Sequence, residues 1–273
     1  LENQQHHGNP YGIGAKKRSQ WMGDLSVDAY KDQEYLFFVG SEGAYDARAQ
    51  GAARALAELL QKAGVSFGVL GSQETDDGNE AALLGEDGLT EMLAEKNIAR
   101  FRELGVKKII TLSPHAFNAL KNIYPRHGGD FEVYHYTQML PGLIKNGQIS
   151  PPALDNAALT YHDPCFLGRW NGEYKAPRKA LQAIPGAQMV EMERNRKSAF
   201  CCGGGSGNYY TDLLGSSENS PARIRARQAR ATGADILAVA CPNCLTMLED
   251  AVKVEGLENE LMVKDISELL AGS

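Results

Sequence analysis

All five cysteines of this 273-residue chain lie in its second half. Cys165 stands alone, Cys201 and Cys202 are adjacent, and Cys241 and Cys244 form a C-x-x-C pair. Thiolate is a soft ligand that binds zinc and iron–sulfur clusters. Three short segments that supply five such ligands therefore predict one metal centre, built where the folded chain brings the segments together.

The residues around each cysteine group support such a centre. Cys165 and Cys241 each follow an apolar run typical of a buried strand, and the adjacent pair heads the glycine-rich run 203–207. The carboxyl ends of parallel strands share one edge of a sheet, where ligands commonly bind. The backbone N–H groups of a glycine run can donate hydrogen bonds to thiolate or sulfide. A proline after Cys241 predicts a helix start, whose dipole favours thiolate.

These residues leave four interpretations of the cysteines. Free cysteine is often simply buried, but core packing does not explain why all five fall at loop and strand ends. Zinc uses four thiolates in a tetrahedron and leaves the fifth without a role. A dithiol–disulfide redox site is the third interpretation. An iron–sulfur cluster is the fourth, and the pattern favours it.

Composition limits the classes of function. A net charge of −6 gives no electrostatic reason to expect a nucleic-acid partner. The longest apolar runs are far shorter than the roughly 20 residues of a membrane span, and we expect neither a span nor a signal peptide. An odd number of cysteines fits a reducing compartment. We expect a cytoplasmic protein that is peripheral to the membrane only where a partner holds it there.

Apolar runs typical of buried strands alternate with helical patterns along the whole chain. Predicted strands lie near residues 35–40, 65–70, 106–112, 131–134, 159–162, 188–192, 236–240 and 261–263. Predicted helices lie near residues 47–63, 86–104, 177–183, 221–232 and 243–252. This alternation indicates an α/β protein of two pseudo-symmetric, Rossmann-like halves with mainly parallel sheets.

The two halves align by their turn residues. Ser41, Asp76 and Ser113 stand where the second half has cysteines, at offsets of 124, 125 and 128 residues. Nearly constant offsets indicate an internal duplication in which only the second copy kept its thiols. We expect an extended linker over residues 1–30, a half without cysteines over 31–150, and a cluster-binding half over 151–273.

Three segments carry a resemblance to a known family: 162–169 (HDPCFLGR), 200–205 (FCCGGG) and 240–244 (ACPNC). They resemble the cysteine-rich CCG domain family, which includes a subunit of heterodisulfide reductase and iron–sulfur oxidoreductases in which two such domains follow a ferredoxin-like domain. The resemblance covers about residues 30–271. Segments 40–41, 74–79 and 114–118 look like the family's first domain with its cysteines replaced.

The resemblance implies one noncubane [4Fe–4S] cluster, or alternatively zinc, bound by Cys165, Cys201, Cys202, Cys241 and Cys244. It implies an electron-transport role: a cytoplasmic oxidoreductase subunit that relays electrons within a heterodisulfide-reductase-like hetero-complex. Its partners would be ferredoxin-like, flavoprotein or quinone-linked redox subunits. The alternatives are a disulfide or thiol reductase acting at the cluster and a zinc-stabilised interaction module. Without thiols the first half cannot hold such a cluster, so cleavage between two facing clusters is not expected.

Other residues have competing interpretations. His162 and His115 could donate a hydrogen bond or carry a proton beside a cluster, but we favour structural histidines bonded to backbone. Asp76 and Asp77 could hold a hard metal ion, but we favour a solvated turn. Four arginines near the cysteine segments could offset cluster charge, meet a partner or form a solvated basic rim: Arg169, Arg178, Arg194 and Arg196.

Overall fold

Two four-stranded parallel sheets form the framework of the protein in a computed structural model, which describes residues 1–211 and 217–272. The chain divides into two compact units, Leu1–Tyr136 and Thr137–Ser273. Each unit contains one sheet, with helices between its successive strands. The predicted α/β class of two Rossmann-like halves is therefore confirmed.

The first unit contains four strands in the order β2-β1-β3-β4. The strands are β1 (Tyr35–Phe38), β2 (Phe67–Gly68), β3 (Lys108–Thr111) and β4 (Glu132–His135). The helices are α1 (Glu2–His7), α2 (Gly40–Tyr45), α3 (Ala47–Lys62), α4 (Asn79–Leu83), α5 (Asp87–Glu103) and α6 (Pro114–Asn118), and α7 (Tyr136–Lys145) begins at the boundary. Short 3₁₀ helices span Ala15–Met22, Gly71–Gln73 and Tyr124–His127, and a π-helical turn spans Ala119–Ile123.

The second unit repeats this topology in the order β6-β5-β7-β8. Its strands are β5 (Ala158–Tyr161), β6 (Gln188–Met189), β7 (Ile236–Val239) and β8 (Met262–Asp265). Its helices are α8 (Lys175–Gln182), α9 (Asn208–Thr211), α10 (Pro221–Arg230), α11 (Pro242–Val254) and α12 (Ile266–Ala271), with a 3₁₀ turn at Arg196–Ser198. The equal strand order supports the duplication.

The predicted strands near 65–70 and 188–192 shorten to two residues each, as β2 and β6. Both lie at the edge of their sheet, where a strand leaves the ladder more readily than a central strand does. Just after β2, Val69 forms a parallel bridge with Ala29 of the N-terminal segment.

The centre of the first sheet is apolar on both faces. Leu36, Phe37 and Phe38 are fully buried in β1, as expected for a strand covered on both sides. Phe37 makes edge contacts with Phe67 and with Trp21, both at 6.0 Å between ring centroids. Trp21 belongs to the segment interpreted from sequence as a linker, which instead carries two short helices and packs on this sheet.

Phe37→Ala should destabilise the first unit by about 3–5 kcal/mol, because it leaves a cavity between two aromatic rings. Urea unfolding followed by tryptophan fluorescence measures this loss. Met92→Ala is the control, since Met92 is 39% exposed on α5 and its truncation should change stability by about 0.5 kcal/mol or less. Equal stabilities of the two variants would contradict the packing described for Phe37.

Candidate metal centre

The five cysteines meet at the carboxyl edge of the second sheet. β5 and β7 are parallel neighbours, with Tyr161 opposite Ala238 at their ends. Cys165 follows β5 after a short turn, and Cys241 follows β7 at the position just before the first residue of α11. Strands that run in the same direction end at the same edge, so the pairing of these two strands brings the first and third cysteine groups together.

The second group arrives on the glycine-rich loop before α9. Gly203 has φ +82°, a left-handed conformation that favours glycine, and its N–H donates to Cys201 Sγ at 3.3 Å. A methyl group at Gly204 would lie 3.1 Å from Met247 and 3.7 Å from Cys202 Sγ. Glycine thus allows the left-handed turn at position 203, and a side chain at position 204 would require Met247 to shift.

The sulfur atoms lie in contact with one another. Cys201 Sγ is 3.9 Å from Cys165 Sγ, and Cys202 Sγ is 3.3 Å from Cys244 Sγ. Cys202, Cys241 and Cys244 are buried, whereas Cys165 and Cys201 are half-buried. The group is therefore closed on one side and reaches the surface through Cys165 and Cys201.

These contacts shift the thiol pKa values in opposite directions. Hydrogen bonding to Cys201 and burial raise the pKa of Cys165, and hydrogen bonding to Cys201 likewise raises the pKa of Cys202. Hydrogen bonds from those same neighbours lower the pKa of Cys201. One thiolate is therefore surrounded by thiols that keep their protons. The remaining thiols need added positive charge to ionise, as a metal would supply.

The donor set suits a soft metal. Within the described residues, a ring nitrogen of His162 and the sulfurs of Cys202 and Cys244 lie within 4.8 Å of one another. Thiolate sulfur favours zinc or iron rather than Mg²⁺ or Ca²⁺, which prefer oxygen ligands. Buried polar atoms without a hydrogen-bond partner among the described residues occur beside the cysteines, including His162 Nε2 and both amide atoms of Asn243. The residues thus fit a bound thiolate-ligated group.

His162 is not the backbone-bonded side chain that we predicted. It is fully buried, and its Nδ1 accepts a hydrogen bond from Arg225 Nε at 3.0 Å. Burial, reinforced by the charge of Arg225, lowers the pKa of His162 to about 3. The imidazole is therefore neutral at pH 7.

Sequence reasoning did not identify Arg225. The residue lies on α10 between Ala222 and Ala226 on the face that also buries Ala229. The sequence does place this arginine among alanines at helical spacing, on the face of a helix that packs on the core. Such a position could have identified it, because a charge on the core face of a helix needs a buried partner.

The four arginines near the cysteine segments have different environments. Arg178 is buried and binds Asp163 with both terminal nitrogens, at 2.7 and 2.9 Å, and also pairs with Glu191. Arg196 is half exposed and pairs with Glu191 at 3.1 Å. Arg169 donates to the carbonyl of Ala199, and Arg194 lies over the ring of Phe200. Arg178 therefore fixes the turn before Cys165 through carboxylates.

The positions in the first half that match the cysteines hold a buried polar network. Asp76 and Asp77 are 5% and 6% exposed, so the predicted solvated turn is wrong. Ser41 Oγ donates to Asp76 Oδ2 at 2.7 Å, and Gln4 Nε2 donates to Asp76 Oδ1 at 2.9 Å. The N-terminal segment covers the turn, since Gly8 O also accepts from Asp76 N.

His115 belongs to the same network. Its Nδ1 lies 2.6 Å from Glu80 Oε1, and both side chains are buried, so this ring has a carboxylate partner that the sequence analysis did not predict. Asn118 donates to Asn79 Oδ1 at 2.9 Å. This half offers oxygen and imidazole groups and has no thiol.

Residues 35–121 and 159–249 each match the CCG cysteine-rich domain. The chain belongs to this family. The first matched segment contains β1, β2 and β3 and the second contains β6, β7 and all but the first residue of β5, so this CCG protein contains two copies of the domain. The resemblance drawn from the cysteine-bearing segments is confirmed.

Curated relatives include redox proteins. The chain is 44% identical to a probable iron-sulfur-binding oxidoreductase, FadF, of Bacillus subtilis, and 37% identical to EtfAB:quinone oxidoreductase of Syntrophomonas wolfei. The alignments cover 97% and 98% of this chain but 39% of each relative. It is 36% identical to a subunit of the dihydromethanophenazine:CoB--CoM heterodisulfide reductase of Methanosarcina barkeri, over 98% of this chain and 65% of the relative. The chain thus spans about two fifths of the length of FadF.

None of the helices within residues 1–211 and 217–272 has the length and apolar character needed to cross a membrane.

Asp77→Asn should stabilise the protein increasingly as pH rises above 3.8. Burial, then the charges of Asp76 and Glu42, raise the pKa of Asp77 well above 3.8. When folding raises the pKa of a carboxyl, the protein becomes less stable as pH rises from the unfolded-state pKa toward the folded-state pKa, because the buried group then has to ionise. Asparagine avoids this ionisation and keeps an oxygen for the N–H of Asn79.

Thermal unfolding of both proteins from pH 3.5 to 8 measures the effect. The difference in Tm should be smallest below pH 3.8 and widen above it. A difference that stays constant across this range would contradict a raised pKa for Asp77.

Proposed function

We propose that the second half binds one iron–sulfur cluster and relays electrons between redox subunits. The observation that carries this proposal is the contact of cysteine sulfurs from separate segments at one sheet edge, in a protein of the CCG family. The ligands would be Cys165, Cys201, Cys202, Cys241 and Cys244. A bound cluster would supply one-electron redox chemistry.

The number of thiols supports a noncubane [4Fe–4S] cluster that uses all five. A tetrahedral zinc site has room for four, and the loop that carries Cys201 and Cys202 already donates a backbone N–H to sulfur.

Zinc in an interaction module is the second candidate. The sulfur separations of 3.3 and 3.9 Å are also compatible with it, since four thiolates around one zinc ion lie roughly 3.8 Å apart.

The protein's own residues would hold and shield the cluster. Cys202, Cys241 and Cys244 are buried, and the half-buried Cys165 and Cys201 would provide the route by which an electron reaches the surface. Burial and backbone hydrogen bonds to sulfur are the means by which a protein sets a cluster's potential. The first half has oxygen ligands and no thiol for a second cluster. This favours electron relay rather than disulfide cleavage between two facing clusters.

The relatives suggest which partners such a relay would serve. One is named an EtfAB:quinone oxidoreductase and another is part of a heterodisulfide reductase. We infer a hetero-complex in which electrons come from a flavoprotein or a ferredoxin-like protein and pass to a quinone-linked partner. The chain would then work on the cytoplasmic side and meet the membrane through that partner.

Anaerobically purified protein should contain about four irons and four acid-labile sulfides per chain, with an EPR signal after mild oxidation or reduction. Elemental analysis and EPR measure these quantities together. One zinc without sulfide would replace the electron-transfer proposal with the zinc-stabilised module.

Cys202→Ser should lose the cluster or alter its EPR spectrum, because serine does not replace a soft ligand in a buried site. Asp77→Asn is the matched control at the equivalent position of the first half, and its iron content should equal that of wild type. Unchanged iron and spectrum in Cys202→Ser would exclude Cys202 as a ligand.

A further inference from the structure

Two buried nitrogen atoms near the cysteines lack partners. His162 and Arg225 are both 0% exposed, and neither His162 Nε2 nor Arg225 Nη2 has a hydrogen-bond partner among the described residues. Leaving a buried donor unsatisfied costs about 1–3 kcal/mol, and more for a charged group. Two such atoms on a histidine beside the sulfurs of Cys202 and Cys244 and on the arginine that contacts it point to a bound group that accepts a hydrogen bond there.

The contact between the two side chains determines which imidazole nitrogen carries the proton. Arg225 Nε can only donate, so His162 Nδ1 must accept. In a neutral imidazole the proton then resides on Nε2, which makes this atom a donor. A ring nitrogen of His162 lies within 4.8 Å of the sulfurs of Cys202 and Cys244. His162 is therefore placed to donate to the bound group and not to ligate a metal.

The guanidinium of Arg225 makes no hydrogen bond to a carboxylate in the described structure. Its Nη1 donates to the carbonyl of Arg194 at 2.7 Å and to Gln228 Oε1 at 3.0 Å, both of which are neutral. Asp163 acts on it electrostatically but is bound by both terminal nitrogens of Arg178. A buried cation without its own anion is costly, and negatively charged thiolates would offset that cost.

We propose that His162 and Arg225 form a tuning pair, in which Arg225 orients His162 so that its Nε2–H donates to the cluster while the guanidinium charge raises the cluster's reduction potential. The pair ligates nothing and transfers no proton. It rests on the proposed iron–sulfur cluster. Hydrogen bonds and positive charge near sulfur stabilise the reduced state, which carries one more negative charge.

Redox titration of the whole chain tests the proposal, with EPR to follow reduction and iron and sulfide counted in each sample. Arg225→Met and His162→Leu should keep the cluster. At the wild-type midpoint potential, their ratio of reduced to oxidised cluster should fall at least tenfold, equivalent to about 59 mV for one electron. His162→Gln retains an N–H donor and should stay within about threefold of wild type.

Arg227→Met is the control on the same helix, because Arg227 is partly exposed and pairs with Glu255. Its potential should not change. Wild-type potentials in both Arg225→Met and His162→Leu, at full iron content, would overturn the pair and leave the proposed cluster intact.

If Arg225→Met and His162→Leu both lose the cluster, the more conservative variants His162→Gln and Arg225→Lys test the proposal. A cluster kept by these two supports the pair, and a cluster lost from them as well overturns it. If wild-type protein contains no iron, the proposed function is wrong, and this inference, which depends on it, is wrong as well.

Discussion

Buried thiols in mutual contact cannot all ionise without a source of positive charge, and the second half of the protein is organised around this constraint. The parallel pairing of β5 and β7 brings Cys165 and Cys241 to one edge, and the glycine-rich loop adds the adjacent pair. Their contacts leave Cys201 as the favoured thiolate and hold protons on its neighbours. A thiolate-bound metal or cluster resolves this conflict, because its positive charge replaces those protons.

The duplicated fold shows how one framework accommodates two chemistries. Both sheets have the same strand order, yet the first half fills the equivalent position with serine, carboxylates, amides and a histidine. Hydrogen bonds from Gln4 and Ser41 stabilise Asp76 where the second half has a cysteine. Arg18 adds a buried ion pair to Glu74 at 2.7 Å. The network is internally bonded, so the first half requires no thiolate-bound group to satisfy it.

The buried arginines Arg178 and Arg225 differ in the groups that offset their positive charge. Arg178 is held by two carboxylates and stabilises the turn that carries Cys165. In the part of the chain that the structure describes, the hydrogen bonds of Arg225 go to two neutral oxygens and to the imidazole of His162. The same residue type thus has a structural role at one position and an electrostatic role toward the cysteines at the other, and only the identity of the contacting atoms separates them.

Local patterns in the sequence were enough to predict the α/β class, most elements and the duplication, because strand and helix periodicity and turn residues are local properties. They also show which residues carry thiols. The environment of the polar side chains emerged only in the folded chain. Asp76 lies buried where Gln4 and Gly8 of the N-terminal segment bond to it, and Arg225 reaches His162 across 63 residues of sequence. The burial and the partners of these polar side chains depend on contacts between segments distant in sequence, and local sequence patterns do not predict such contacts.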